Sequence, residues 1–253
     1  MTRKTKGETV DVLGIDIGGS GIKAAPVNPA TGEMTADRFR MDTPVPAKPK
    51  EVTEVIKAIT SHFNWKDRIG CGFPGIVRSG VIYSAVNIND KWIGVNAAEL
   101  FSHATGCEVR VINDADAAGL AEMTFGAGRE NHKGVVLLLT LGTGIGSAVF
   151  VDGKLLPNTE FGHLELDGKD LEKRASAAVR DRKHLSWEEW GGRVNRAMQH
   201  LEMLISPDLI IVGGGVSKDY KKFFPYLKLA ANVVPAQMRN QAGIIGAGLT
   251  WAV

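Results

Sequence analysis

The feature that most restricts this chain is a pattern that occurs twice. Residues 10–18 alternate and are rich in Val and Ile, Gly18-Gly19-Ser20-Gly21 interrupts them, and residues 22–27 resume the apolar character. Much later, residues 135–140 form a continuous apolar run, Gly142-Thr143-Gly144 interrupts it, and residues 145–151 resume. Strand, tight glycine turn, strand is the signature of a β-hairpin. Two such hairpins, each opening one half of the chain, predict an α/β protein of two lobes. The lobes are expected over residues 1–113 with 240–253, and over 114–239.

The segments between the hairpins fit that frame. From Pro49, residues Val52, Val55, Ile56, Ile59 and Phe63 fall on one helical face. Strands are expected over 68–73 and 108–112, a helix over 96–105 between them, and another helix over 114–125. In the second half Ser186 and Glu189 form a capping box. It opens a helix whose core stripe is Val194, Ala197, Met198, Leu201, Leu204 and Ile205. A buried strand over 209–212 ends in Gly213-Gly214-Gly215, and a small-residue helix closes the chain over 242–253.

Composition narrows the class of function. With 44% hydrophobic residues among 253, the chain has enough apolar material for a core without metal or disulfide staples. A formal net charge of +2 supplies no field that would favour nucleic acid or a membrane surface as partner. Cys71 and Cys107 are far apart and neither belongs to a CxxC pair, which fits a reducing compartment. The opening is basic, but the apolar run that follows is too short and broken for a signal segment or a span. A cytoplasmic protein is expected. One stretch departs from the even charge balance: Lys173, Arg174, Arg180, Arg182 and Lys183 lie close together around a single Asp. It is either a solvated helix face or an anion-binding patch.

Three glycine clusters could carry chemistry: residues 16–21 with Asp16 at their head, residues 142–146, and Gly213, Gly214 and Gly215. Glycine lets backbone N–H groups approach an anion closely. None of the three matches the GxxxxGK[ST] phosphate loop or the spacing of a dinucleotide fingerprint. Asp16 could hold Mg²⁺ against phosphate oxygens or simply cap a turn. Asp114 stands where a strand gives way to a helix, where the dipole keeps a carboxylate ionised. It could accept a proton from a hydroxyl, or it could be a plain helix cap. Glu160, His163, Glu165 and Glu172 concentrate polar groups suited to reading sugar hydroxyls. No zinc site emerges, because neither cysteine neighbours His163.

The segments DIGGSGIK, GFPGIV, INDADAAGLAE, LTLGTGIG, EFGHLE and DLIIVGGGVSK, in that order, resemble the ROK sugar kinases of the actin-like ATPase superfamily. Further segments, LPNTEFGHLE, SWEEWGGRVNRAMQHLE and VVPAQMRNQAGIIGAG, look like the polyphosphate glucokinases within it. The resemblance implies a two-lobed, ribonuclease H-like fold with the active site in the cleft between lobes. It implies a kinase that moves a phosphoryl group from inorganic polyphosphate, and also ATP, to the 6-hydroxyl of glucose. It makes Asp114 the catalytic base, and Asn113, Glu160, His163, Glu172 and Gly75 glucose-binding positions. The turns with Gly18, Gly19, Ser20, Gly21 and Lys23, and with Thr143 and Gly144, become phosphate loops, and Gly213 to Gly215 an adenosine loop. A homodimer is also implied. Lys173, Arg174, Arg180, Arg182 and Lys183 would form a polyphosphate track, with Lys173 and Arg180 on one helical face.

One departure stands out. Many ROK proteins carry a CxCGxxGC zinc motif shortly after the Gly-His pair, whereas residues 164–171 here contain no cysteine. The His163 loop must therefore be braced another way. Two other classes of function fit less well. A sugar-sensing repressor needs a DNA-reading module before the first strand, where only about ten residues stand. A filament-forming actin-like protein needs no cluster such as Glu160 to His163.

Overall fold

The computed structural model describes residues 10–86, 88–131 and 133–252. The chain divides into two compact units, Met1–Ala121 with Gly243–Val253, and Glu122–Ala242.

The first unit opens with the expected hairpin, β1 (Val12–Ile17) antiparallel to β2 (Gly21–Val27). A short strand that the sequence does not signal, β3 (Phe39–Asp42), extends it. Helix α1 (Pro49–His62) leads to β4 (Ile69–Phe73), parallel to β1. A small hairpin of β5 (Val77–Arg78) and β6 (Val81–Ile82) precedes α2 (Ala97–Thr105) and β7 (Val109–Asn113). Val52, Ile56 and Ile59 of α1 are buried, and Val55 and Phe63 flank them. Helix α2 is closed at both ends by its own sequence. Asn96 Oδ1 accepts from Glu99 N at 3.2 Å, and Gly106 turns left-handed at φ 73°. The sheet order is β3-β2-β1-β4-β7. Helix α3 (Asp114–Phe125) follows β7 directly.

The second unit repeats this plan. Strands β8 (Val135–Leu141), β9 (Ile145–Val151) and β10 (Lys154–Leu156) form an antiparallel meander. The hairpin β11 (Glu165–Leu166) with β12 (Lys169–Asp170) comes next. Helices α4 (Glu172–Ala175), α5 (Ala177–Arg182) and α6 (Trp187–Ile205) lead to β13 (Leu209–Gly213) and β14 (Asn232–Pro235). Its order, β10-β9-β8-β13-β14, copies the first sheet, with β13 parallel to both neighbours. The duplication read in the two hairpins therefore extends to two whole five-stranded sheets.

The capping box of α6 forms: Ser186 Oγ accepts from Glu189 N, and the Glu189 carboxylate accepts from Ser186 N at 2.9 Å. The Ser186 N–H, and after it the Ser186 hydroxyl, hold the Glu189 carboxyl below its ordinary range. Val194, Ala197, Met198 and Leu201 are buried, but Leu204, expected in the same stripe, is 53% exposed. Ile205 at the end of the helix still packs against the core, while Met203 beside Leu204 is exposed as well.

Helix α7 (Ala242–Leu249) packs flush within the first unit. A Cβ on Gly14 of β1 would strike the Ile244 carbonyl, and one on Gly246 the Ala117 carbonyl of α3. Only glycine permits this approach at positions 14 and 246. Among the described residues no helix is long and apolar enough to cross a membrane.

Candidate active site

In the first unit the ends of parallel strands β1, β4 and β7 lie side by side, the usual place for ligands in such sheets. Asp16 is paired with Gly72 in register, and Phe73 with Asn113. The glycine turn is tight, with Gly18 N bonded to the Gly21 carbonyl at 3.2 Å and Thr43 Oγ1 donating to the Gly18 carbonyl at 2.5 Å. Gly19 and Ser20 are exposed at its tip. Lys23 Nζ lies 3.5 Å from Asp16 Oδ2. Burial pushes the Asp16 carboxyl up, and the charges of Lys23 and Arg38 act against that. Arg40 Nη2 donates to the Ser20 carbonyl at 2.9 Å, a contact absent from the sequence reading.

Asn113, Asp114 and Gly75 lie together. Asn113 is buried, and its Nδ2 donates to the Gly75 carbonyl at 3.1 Å. Its Oδ1 accepts from Ala115 N and Asp116 N at 2.9 and 3.0 Å, so Asn113 supplies the cap of α3. Asp114 is the first residue of that helix and is partly exposed, with Oδ1 2.8 Å from Ala115 N. Its Cα approaches Gly72 closely, since a Cβ there would lie 3.6 Å away. Asp116 is fully buried.

In the second unit the other two glycine clusters are neighbours. Gly213 is paired in register with Thr140, and Gly214, at φ 81°, stands where a Cβ would strike the Leu141 backbone. Thr143 and Gly215 are exposed at the ends of β8 and β13. Ser217 donates from both N and Oγ to the Gly214 carbonyl, at 3.1 and 2.8 Å.

Glu160, His163 and Glu172 also converge. His163 Nε2 is 3.9 Å from Glu160 Oε2, and its Nδ1 is 3.8 Å from Glu172 Oε1. A third carboxylate was not anticipated: Asp170 Oδ2 is 3.7 Å from Nδ1 and is held by Lys173 Nζ at 2.9 Å. The Lys173 ammonium keeps the Asp170 carboxyl below its ordinary range. Burial pushes the Glu160 carboxyl up; His163 partly opposes this and Glu172 adds to it. The loop is braced by β9, not by cysteines. Ser147 Oγ donates to the Thr159 carbonyl at 2.7 Å and accepts from Phe161 N at 3.0 Å. A Cβ on Gly162 would strike the Ile145 carbonyl. Asp170 lies inside the cysteine-free segment, which was the available signal; nothing local marks Ser147.

The basic run behaves differently from its sequence reading. A single helix would put Lys173 and Arg180 on one face, but Ser176 is extended (φ −63°, ψ 156°) and separates α4 from α5. Trp190 Nε1 donates to the Ala175 and Ser176 carbonyls, both at 3.1 Å, and so satisfies the groups that the break exposes. Arg174 turns onto Asp167, donating to its carbonyl at 2.6 Å. The Arg180 guanidinium lies 3.7 Å from the centre of the Trp187 ring. Arg182 and Lys183 are exposed. Start-of-helix Ala178 N bonds to the Gly142 carbonyl at 3.1 Å, which sets α5 against the second glycine turn.

The chain is similar to known proteins over most of its length. The model of the ROK family matches residues 12–182. Polyphosphate glucokinase of Mycobacterium tuberculosis is 45% identical over 98% of this chain and 94% of its own length. That of Mycobacterium leprae is 46% identical over 94% of this chain and 73% of its own. The crystal structure of inorganic polyphosphate/ATP-glucomannokinase from Arthrobacter sp. strain KM superposes with a TM-score of 0.93 at 46% identity, over 96% of this chain and 98% of that one. The duplicated sheets are those of the two-lobed, ribonuclease H-like actin-like ATPase fold. By family match and by near full-length identity, this chain belongs to the ROK family.

Proposed function

We propose that this chain is a polyphosphate-dependent glucokinase that also accepts ATP, phosphorylating glucose at its 6-hydroxyl. The observation that carries the reading is 45–46% identity with polyphosphate glucokinases across nearly the whole chain. The glucomannokinase at 46% identity supports mannose as a second acceptor.

Phosphoryl transfer has a loose transition state, so positioning and charge neutralisation dominate. Asp114 accepts the hydroxyl proton as the new O–P bond forms, and the donor leaves one phosphate shorter. Asn113, Gly75, Glu160, His163 and Glu172 hold the sugar. The turns at Gly18 to Gly21 and at Thr143 and Gly144 hold donor phosphates, and Gly213 to Gly215 the adenosine of ATP. Asp16 suits Mg²⁺, which binds through one or two carboxylates together with phosphate oxygens and water. The absence of a side chain at Gly243, where a Cβ would lie 2.8 Å from Asp16 Cγ, leaves space beside that carboxylate. Bound there, Mg²⁺ would neutralise donor charge. Arg180, Arg182 and Lys183 remain a candidate donor track beside Gly142, with Lys173 and Arg174 at its margin. The lobes in this reading are residues 1–113 with 240–253 and residues 114–239, in a cytoplasmic homodimer.

The test is a donor panel of long polyphosphate, tripolyphosphate and ATP with glucose, read as glucose 6-phosphate formed. Turnover with ATP alone would replace this reading with a strictly ATP-dependent ROK glucokinase.

A further inference from the structure

The register of the first sheet lines up three charges. Asp16 of β1 stands opposite Lys23 of β2, and Lys23 stands opposite Arg40 of β3. Cross-strand partners project from the same face. The alternating neighbours Ile15, Ile17, Ile22, Ala24, Phe39 and Met41 pack into the core on the other face. Two cations directly opposite one another weaken a sheet. Asp16 offsets one of them, but Arg40 adds a second beside it.

Arg40 is also held in place. Its Nη1 is 2.8 Å from Asp42 Oδ1, and its Nη2 donates to the Ser20 carbonyl at 2.9 Å. The guanidinium lies over Gly21, where a Cβ would come within 2.6 Å of Nε. The side chain is nevertheless 47% exposed. A planar cationic fork is thus fixed at the first glycine turn with one side toward solvent, the arrangement that suits phosphate oxygens. Arg38, exposed and just before β3, is near enough for its charge to act on Asp16.

We propose that Arg40, next to Lys23, binds phosphates of the donor that lie beyond the one transferred, so that a condensed phosphate chain runs out over the β3 edge of the first sheet. This rests on the polyphosphate reading above. It names a different path from the α5 cations, and the two can be separated.

The experiment compares Arg40→Gln and Arg40→Lys with the wild type on long polyphosphate, tripolyphosphate and ATP, with melting temperature and salt dependence measured alongside. Arg40→Gln is expected to raise the KM for long polyphosphate roughly tenfold, the order of one charge-assisted hydrogen bond. It should flatten the log–log salt dependence by about one unit and leave the ATP kcat and the melting temperature near wild type. Arg40→Lys, which keeps charge but not the fork, should fall between. Equal losses on all three donors with a lower melting temperature would overturn the proposal, leaving Arg40 a brace for the turn. So would a silent Arg40→Gln beside an Arg180→Gln/Arg182→Gln variant that loses long-chain affinity. A wild type without polyphosphate turnover would overturn the reading itself, and this inference with it. Normal wild-type turnover with an unchanged Arg40→Gln would overturn only the Arg40 assignment.

Discussion

Asn113 closes the helix that Asp114 begins: its Oδ1 takes the N–H groups of Ala115 and Asp116, at 2.9 and 3.0 Å. Asn113 therefore supplies the bond to Asp116 N and shares Ala115 N with Asp114 Oδ1, which lies 2.8 Å from it; the role proposed for Asp114 is that of base. A change at Asp114 should spare the cap and the fold. Asp114→Asn is expected to lower kcat about 10²-fold or more, the usual contribution of a positioned base, with a smaller change in glucose KM. Steady-state kinetics and a pH profile check this; near-wild-type turnover would remove Asp114 from the chemistry.

Glu160 gives a pH prediction with a definite sign. Its folded carboxyl is raised by burial, so the folded state binds that proton more tightly than the unfolded chain. Its contribution to stability is therefore present below the unfolded carboxylate pKa and is lost as pH rises through the raised folded value. Glu160→Gln should flatten the stability profile over that interval and be at least as stable as the wild type at neutral pH. The same variant should raise the glucose KM, because a site built to pair with hydroxyls loses a partner. Denaturation across pH, together with glucose titrations, reads both. Lower neutral stability with unchanged glucose affinity would make Glu160 purely structural.

Much of this architecture is legible because local rules agree with the fold. The glycine turns end both hairpins, the stripe of α1 matches its buried face, and the Ser186–Glu189 box starts α6. What escapes has a common cause, because it depends on partners distant in sequence. β3 is only four half-exposed residues whose pairing with β2 defines it. The break at Ser176 has no glycine or proline to announce it, and depends on an indole fourteen residues later. Asp170 gains meaning only once the β11–β12 hairpin folds it back toward His163.

That break supplies a stability prediction. Trp190 is fully buried and its N–H serves both the Ala175 and Ser176 carbonyls, which belong to buried residues. Trp190→Phe keeps most of the ring and removes the donor. The cost should be about 1–3 kcal/mol, the range for a buried acceptor left without its partner. Because α5 bonds to Gly142 through Ala178 N, donor KM should rise more than glucose KM. Urea denaturation and two-substrate kinetics test the pair of effects; an unchanged midpoint would mean that other groups satisfy these carbonyls.

The last prediction concerns metal at His163. Ligand atoms of His163, Asp170 and Glu172 all lie within 4.8 Å of one another, which is the raw material for a cation site. A structural zinc needs four ligands in tetrahedral array, with carboxylate oxygens and imidazole nitrogens at about 2.0–2.2 Å. Here one of the three carries its own cation: Lys173 Nζ sits 2.9 Å from Asp170 Oδ2. An ion would have to displace that ammonium and would feel its charge, while the loop is already fixed by Ser147 and Gly162. The purified protein is therefore expected to carry far less than one zinc per chain by elemental analysis, and to keep its activity with glucose after treatment with a zinc-selective chelator and return to Mg²⁺. Lys173→Met should increase zinc uptake by removing the competing charge. One tightly held zinc per wild-type chain, with activity lost on its removal, would show that the three side chains serve as ligands despite Lys173.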